Sequence, residues 1–302
     1  MIRGQGVRDK PKNTLSLCEA VLSVFNTLFT VLGEQQMALP CRNCTVNGIM
    51  TGRHTPPTQQ NPTRRVRLNM IEFGHLSHVG LRRDLNEDTY DANAEKGLWL
   101  VADGMGGHEY GEVASALARD AAMESARAGS SLSDAIRYAA HTVAAYSQGR
   151  RSALPMGTTI AMAATTGNQY EVAWIGDSRV YLWDGQLRQI SQDHSLVQEM
   201  VAQGAITSDQ ARSHPRRNVV TQALGVTDPD HLRIGVASGL WCSGRQLLLC
   251  TDGLTEHVSD SRIAQILARE TLSVQELVEH LVFCALRGGG SDNITVVLAR
   301  EV

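Results

Sequence analysis

Leu98-Trp99-Leu100-Val101-Ala102-Asp103-Gly104-Met105-Gly106-Gly107 joins an apolar, strand-like run to an aspartate and a glycine-rich turn. The same order, an apolar run and then a carboxylate, recurs at residues 247–252 and 174–177, and the reverse order occurs at residues 292–298. An isolated Asp-Gly pair usually marks a turn. Four repeats of one pattern outweigh that interpretation, because strand ends are rigid positions at which scaffolds hold functional side chains.

The segments around this run alternate between hairpin-like strands and paired helices. Strands are predicted over residues 71–79, 90–101, 158–165 and 170–174, and a hairpin over 180–190 with Asp184-Gly185 at its turn. Helices are predicted over residues 111–128, 131–148, 196–203, 208–213, 261–269 and 274–286. Hairpins beside paired helices indicate an α+β fold with antiparallel sheets rather than βαβ winding.

The length and composition allow one large domain, which we place at residues 70–302 of the 302-residue chain. A net charge of −3 gives no indication of a nucleic-acid partner. Cys242, Cys250 and Cys284 lie in apolar surroundings and are typical of small core residues in a reducing compartment. We therefore expect the protein in the cytoplasm.

The first 69 residues form a poorly defined extension and linker. Residues 15–32 are fairly apolar, but their polar interruptions argue against a membrane contact or a secretory signal. Residues 51–67 are rich in Pro, Thr, Gln and Arg, which is typical of a disordered linker. Cys41 and Cys44 have the spacing of a zinc knuckle, but no second pair completes it. An alternative is that translation begins at Met70, so that residues 1–69 are not part of the native protein.

The recurring carboxylates predict a metal site. Carboxylates gathered at the ends of buried strands repel one another and are costly to desolvate, so a fold that collects them normally places a cation among them. Ligand sets made only of oxygen select hard metals such as Mg²⁺ or Mn²⁺. The residues alone therefore indicate a dinuclear metal hydrolase that acts on a phosphate ester.

A series of motifs resembles the metal-dependent Ser/Thr protein phosphatases of type 2C. The motifs follow the order of that family and are found at residues 80–88, 103–107, 157–159, 176–179, 221–225, 251–253 and 291–295. The resemblance covers about residues 70–301, and Met105 and the segment 191–225 resemble the bacterial branch in particular. It implies an α-β-β-α sandwich, in which two antiparallel sheets are flanked by helices.

The resemblance also implies roles for individual residues. Asp103 would bridge two Mn²⁺ or Mg²⁺ ions, and the carbonyl of Gly104 would also ligate. Asp252 and Asp292 would complete the first ion site. Glu87 would hold the second ion.

Three further roles follow from the same resemblance. Asp88 would hold a metal-bound water. Asp177, with Asp252, would form a third and weaker ion site found in bacterial relatives. Arg83 would clamp the substrate phosphate, because a planar guanidinium suits contact with two phosphate oxygens.

The implied activity is hydrolysis of phosphoserine and phosphothreonine in proteins by a metal-activated water, opposing a bacterial Ser/Thr kinase. Some family members have a histidine, proposed as the general acid, where this chain has Met105. His108 lies three residues further on, but a solvated loop histidine is the better interpretation. The general acid therefore stays unassigned.

Three other functions were weighed against this one. A catalytically weak regulator of the same fold that binds phosphoproteins would lack a metal carboxylate, and none is missing. Another metallohydrolase, such as a nuclease, would need a basic groove, which 28 Lys and Arg against 31 Asp and Glu do not suggest. A nucleotide-binding glycine loop is disfavoured because Glu109 stands where G-x-G-x-x-G needs its last glycine.

Overall fold

The computed structural model describes residues 70–106, 110–148 and 156–302. Within them the strands are β1 (Ile71–His78), β2 (Asp88–Asn93), β3 (Leu98–Met105), β4 (Gly157–Thr158), β5 (Ile160–Thr166), β6 (Gln169–Ile175), β7 (Arg179–Trp183), β8 (Leu187–Gln189), β9 (Gly235–Leu240), β10 (Gln246–Cys250) and β11 (Ile294–Glu301). The α-helices are α1 (Tyr110–Arg127), α2 (Leu132–Gln148), α3 (Leu196–Ala202), α4 (Ser208–Arg212), α5 (Asp252–Thr255), α6 (Asp260–Leu267) and α7 (Val274–Gly288), with a 3₁₀ turn at Pro229–His231.

The strands form two antiparallel sheets. The first sheet has the order β1-β11-β10-β7-β8, and the second has the order β2-β3-β5-β6-β9, with β4 paired to β3. Every strand pairing is antiparallel, and neighbours along the chain often pair directly, as β2 does with β3 and β5 with β6. The prediction of antiparallel sheets is confirmed.

The two-residue period of the strands sorts their side chains into separate cores. In β3, Trp99 and Val101 point between the sheets, whereas Leu98, Leu100 and Ala102 pack with α1 and α2. In β10, Leu247 and Leu249 point between the sheets, whereas Leu248 and Cys250 pack with α6 and α7. The layers are therefore helix, sheet, sheet and helix, and the predicted α-β-β-α sandwich is confirmed.

One strand prediction was wrong. Residues 90–101 form parts of β2 and β3, separated by a turn rather than joined in one strand. The N–H of Gly97 donates to the carbonyl of Ala94 at 3.2 Å, and Gly97 has a φ of +62°, which a glycine adopts without a steric penalty. Because of this turn, β2 folds back along β3, so that Asp88 lies opposite Asp103.

Some predictions concern residues outside the described ranges. These are the assignment of residues 1–69 as an extension and linker, the zinc-knuckle spacing at Cys41 and Cys44, and the solvated position of His108. Among the helices that the structure does describe, none combines the length and the apolar character that crossing a membrane would require.

Candidate metal and phosphate site

The predicted site residues converge at one edge of the sandwich. A cavity of about 550 Å³ opens there between the ends of the two sheets. Its lining includes seven of the eight residues predicted from the sequence, namely Arg83, Glu87, Asp103, Gly104, Asp177, Asp252 and Asp292. The eighth, Asp88, is buried behind this cavity and lines a different one between the edge strands β1 and β2.

Strand register and strand ends explain this convergence. Asp88 opens β2 and faces Asp103 across the β2–β3 ladder. Asp252 follows β10 directly and is the first residue of α5, while Asp292 lies two residues before β11. Asp177 lies in the short connection from β6 to β7, which passes from one sheet to the other. Each of these carboxylates therefore lies in a strand or within two residues of one, rather than in a long loop.

Two glycines allow the backbone to pack closely around Glu87. The N–H of Gly104 donates to the Glu87 carbonyl at 3.1 Å, and a Cβ at Gly104 would overlap the backbone of Gly111. A Cβ at Gly111 would in turn overlap the Glu87 carboxylate, which accepts a hydrogen bond from the Gly111 N–H at the start of α1. Both positions consequently require glycine, and the α1 N-terminus stabilises the Glu87 carboxylate.

The carboxylates destabilise one another electrostatically. Burial raises the pKa of Asp88, Asp103, Asp177 and Asp252, and repulsion between neighbouring carboxylates raises each pKa further. Burial also raises the pKa of Glu87, against the opposing effect of Arg83. A bound cation would stabilise these carboxylates, because it offsets both their desolvation and their mutual repulsion.

The donor atoms fit hard cations. Glu87 Oε1, Asp88 Oδ1 and Asp252 Oδ1 are buried and have no hydrogen-bond partner. Buried polar atoms are almost always paired, so these orphaned oxygens indicate missing partners of opposite charge. Across the three described ranges, no three His, Cys, Asp or Glu side chains already surround one point. Small side-chain movements are therefore needed to complete a coordination shell.

Arg83 lies at the mouth of the cavity. Its Nη2 donates to Asp292 Oδ2 at 2.7 Å, and its side chain is 49% exposed. An exposed guanidinium that is held by one carboxylate can still reach an incoming anion from solvent. Arg82, its neighbour in sequence, is exposed and does not line the cavity.

Sequence reasoning did not identify the residues that hold the carboxylates in place. Thr251 Oγ1 donates to Asp88 Oδ2 at 2.8 Å, and Thr159 Oγ1 accepts from the Asp103 N–H at 3.1 Å. Asn293 holds the β1–β2 connection: its Nδ2 donates to the carbonyls of residues 79 and 85 at 2.9 Å, and its Oδ1 accepts from the Glu87 N–H at 2.8 Å. Thr251 and Asn293 sit next to Asp252 and Asp292, which is the signal that identifies them.

We expect Asn293→Ala to destabilise the protein by about 1–3 kcal/mol, because three backbone groups of the β1–β2 connection would lose their hydrogen-bond partner. Urea unfolding followed by circular dichroism measures this change, with Asn218→Ala as the control at an exposed position. Equal unfolding midpoints for the two variants would contradict the clamping role of Asn293.

The tripeptide Asp193-His194-Ser195 is structural. Ser195 caps α3 by accepting from the Gln198 N–H, as a capping role predicts. Asp193 instead forms a forked ion pair with Arg179, and His194 Nδ1 accepts from the Gly176 N–H at 3.2 Å. No histidine lines the active-site cavity among the residues that the structure describes, so the general acid remains unassigned.

Known proteins are similar to this chain in sequence. The family model described as protein phosphatase 2C matches residues 79–282. Ser/Thr protein phosphatase PstP of Mycobacterium tuberculosis is 39% identical over 241 residues, which cover 77% of this chain and 45% of PstP. Protein phosphatase PhpP of Streptococcus pneumoniae is 35% identical over 240 residues, which cover 76% of this chain and 96% of PhpP.

A solved structure from the same family also matches this chain. A structure of the PstP catalytic domain in complex with two manganese ions matches with a TM-score of 0.68 and 36% identity, and the match covers 77% of this chain and 98% of that one. The family model alone spans more than half of the chain. The resemblance predicted from the sequence motifs is thus confirmed, and the chain belongs to the protein phosphatase 2C family.

Proposed function

We propose that this protein is a metal-dependent phosphatase that hydrolyses phosphoserine and phosphothreonine in other proteins. The observation that carries this proposal is the single cavity that collects an arginine and buried, partly unpaired carboxylates from both sheets. The retention of every predicted acidic ligand supports an active enzyme over a phosphoprotein-binding regulator. Phosphoproteins are accordingly the proposed substrates.

The acidic residues would hold the cations. We assign Asp103 and the Gly104 carbonyl to a bridging position, Asp252 and Asp292 to the first ion, and Glu87 to the second. Asp88 would orient a water, and Asp177 would contribute to a third, weaker site. When bound, such cations supply an activated water and neutralise charge on the phosphoryl oxygens.

Arg83 would receive the substrate phosphate. Its guanidinium pairs with the Asp292 carboxylate. The half-exposed guanidinium has further N–H groups, which could donate to two phosphate oxygens. The Asp292 pairing therefore keeps Arg83 at the mouth of the cavity until a phosphate arrives.

The finer assignments complete the proposal. We place the enzyme in the cytoplasm, opposing a bacterial Ser/Thr kinase, because the motifs resemble the bacterial branch of the family. We assign the catalytic domain to residues 70–302. No contact of residues 15–32 with a membrane is proposed.

The proposal is tested with a phosphothreonine peptide, Mn²⁺ and the variant Arg83→Ala. Loss of one charge-assisted phosphate contact costs about 1.5–3 kcal/mol, so kcat/KM should fall by roughly ten- to 150-fold. Mn²⁺ binding measured by calorimetry should stay close to that of the unmodified protein. Arg82→Ala is the matched control, because it removes an adjacent arginine that does not line the cavity.

Two outcomes would count against the proposal. Peptide binding without release of phosphate by the unmodified protein would favour the regulator instead. Equal losses in Arg83→Ala and Arg82→Ala would show that general charge attraction, rather than a specific phosphate contact, explains the role of Arg83.

A further inference from the structure

A polar cluster surrounds Ser291, the residue that precedes Asp292. The hydroxyl of Ser291, the residue before Asp292, donates to Glu256 Oε2 at 3.0 Å and lies 2.7 Å from His257 Nε2. The Ser291 N–H also donates to His257 Nε2 at 3.1 Å. Ser291 is therefore held through both its side chain and its backbone.

Ser291 needs this lateral support because of the residues before it. Residues 288–290 are three consecutive glycines, and Gly289 and Gly290 have φ angles of +136° and +48°. Glycines restrict the backbone least, so the approach to Asp292 from this side has little intrinsic rigidity. The contacts of Ser291 supply the constraint that the glycines lack.

The second oxygen of Glu256 reaches across to another part of the chain. Arg217 Nη2 lies 2.6 Å from Glu256 Oε1, and Arg217 belongs to the segment 191–224, which contains α3 and α4. Burial alone would raise the pKa of Glu256, but hydrogen bonds from Arg217 and Ser291 lower it, so this carboxylate is ionised at neutral pH. A cavity of about 510 Å³ lies beside this ion pair and shares Asp177 and Asp252 with the active-site cavity.

We propose that Glu256 and Ser291 are positioning residues that set the Asp292 carboxylate, and that Arg217 makes this support depend on the position of the segment 191–224. The contacts run without a break from Arg217 through Glu256 and Ser291 to Asp292 and Arg83. The inference rests on the proposed function, since Asp292 is assigned there to a metal ion. It predicts that a change at the segment 191–224 alters metal affinity without touching a metal ligand.

The test is Mn²⁺ titration calorimetry on the full chain, with no substrate present. Ser291→Ala and Glu256→Gln should each weaken Mn²⁺ binding about fivefold, as expected for the loss of one hydrogen bond or ion pair. Ser291→Thr keeps the hydroxyl and should restore most of the affinity. Arg217→Gln should weaken binding in the same direction, and the double variant Arg217→Gln/Glu256→Gln should weaken it no further than Glu256→Gln alone.

The control is Arg216→Gln, which removes a neighbouring charge that forms no ion pair within the described part of the chain. Turnover of p-nitrophenyl phosphate gives a second readout: excess Mn²⁺ should restore kcat in Ser291→Ala, which a general loss of folding would not allow. Equal Mn²⁺ affinity in all variants would overturn the positioning role even if hydrolysis is confirmed. A fivefold loss of affinity in a protein that hydrolyses nothing would support the positioning role and remove the proposed function.

Discussion

Asp103→Asn is expected to abolish turnover, by at least about a thousandfold, while making the metal-free protein more stable. Several kcal/mol of transition-state stabilisation depend on the cations that Asp103 is proposed to bridge. The same carboxylate is desolvated and repelled by Asp88, Asp252 and Asp177, which raises its pKa well above the ordinary value. An asparagine of the same size removes that repulsion.

The sign of the stability change follows from the direction of the pKa shift. A carboxyl group whose pKa is raised in the folded state destabilises the fold at pH values above its ordinary pKa, because folding must then take up a proton or bury the charge, and an amide does neither. We therefore expect a higher Tm than that of the unmodified protein at neutral pH, measured by calorimetry in EDTA. A variant that binds two Mn²⁺ ions as before, or that melts earlier in EDTA, would contradict the bridging assignment.

Removal of the metal should eliminate activity altogether. EDTA should stop hydrolysis of p-nitrophenyl phosphate, and Mn²⁺ or Mg²⁺ should restore it, because every assigned ligand is an oxygen. Zinc should restore little, since Zn²⁺ favours four ligands rich in nitrogen and sulfur. Mn²⁺ at one hundred times its Kd should also stabilise the fold by about 2.7 kcal/mol.

The stabilisation has an internal control. Asp103→Asn should show little increase of Tm with Mn²⁺, because it lacks the bridging carboxylate, whereas the unmodified protein should melt roughly 5–10 °C higher. Full activity in EDTA would exclude a two-metal mechanism. An equal rise of Tm in both proteins would place the stabilising ion somewhere other than at Asp103.

The sequence was most informative where local pattern and burial agree. Apolar runs that end in a carboxylate identified β3, β6, β10 and β11, because a strand buried on both faces has a continuous apolar sequence. Strand β9 gave no such signal. Its glycines, Gly235 and Gly239, lie under the rings of Trp174 and Tyr170 on β6, so its place in the sheet depends on a partner distant in sequence.

The support of the site was harder to predict than its acidic residues. An Asp at a strand end can be recognised from the apolar run beside it in the sequence. Asn293 acts on residues more than 200 positions earlier, and Arg217 reaches Glu256 across 39 positions. Such contacts depend on the assembled fold, and the sequence shows only that Asn293 lies beside Asp292, not which residues it binds. The replacement of one expected strand by the hairpin β2–β3 has a different origin, because the turn is local: Gly97 closes it, and the mostly polar residues 93–96 just before Gly97 are typical of a turn.

The position of the carboxylates between the sheets has a mechanical consequence. Asp103 belongs to one sheet, whereas Asp252 and Asp292 are attached to strands of the other. Repulsion between them acts across the seam of the sandwich, beside the cavity that all three line. A cation bound by carboxylates from both sheets would hold the two sheets together. The catalytic site would then also stabilise the fold. Loss of the metal would weaken the contact between the two sheets and stop hydrolysis at the same site.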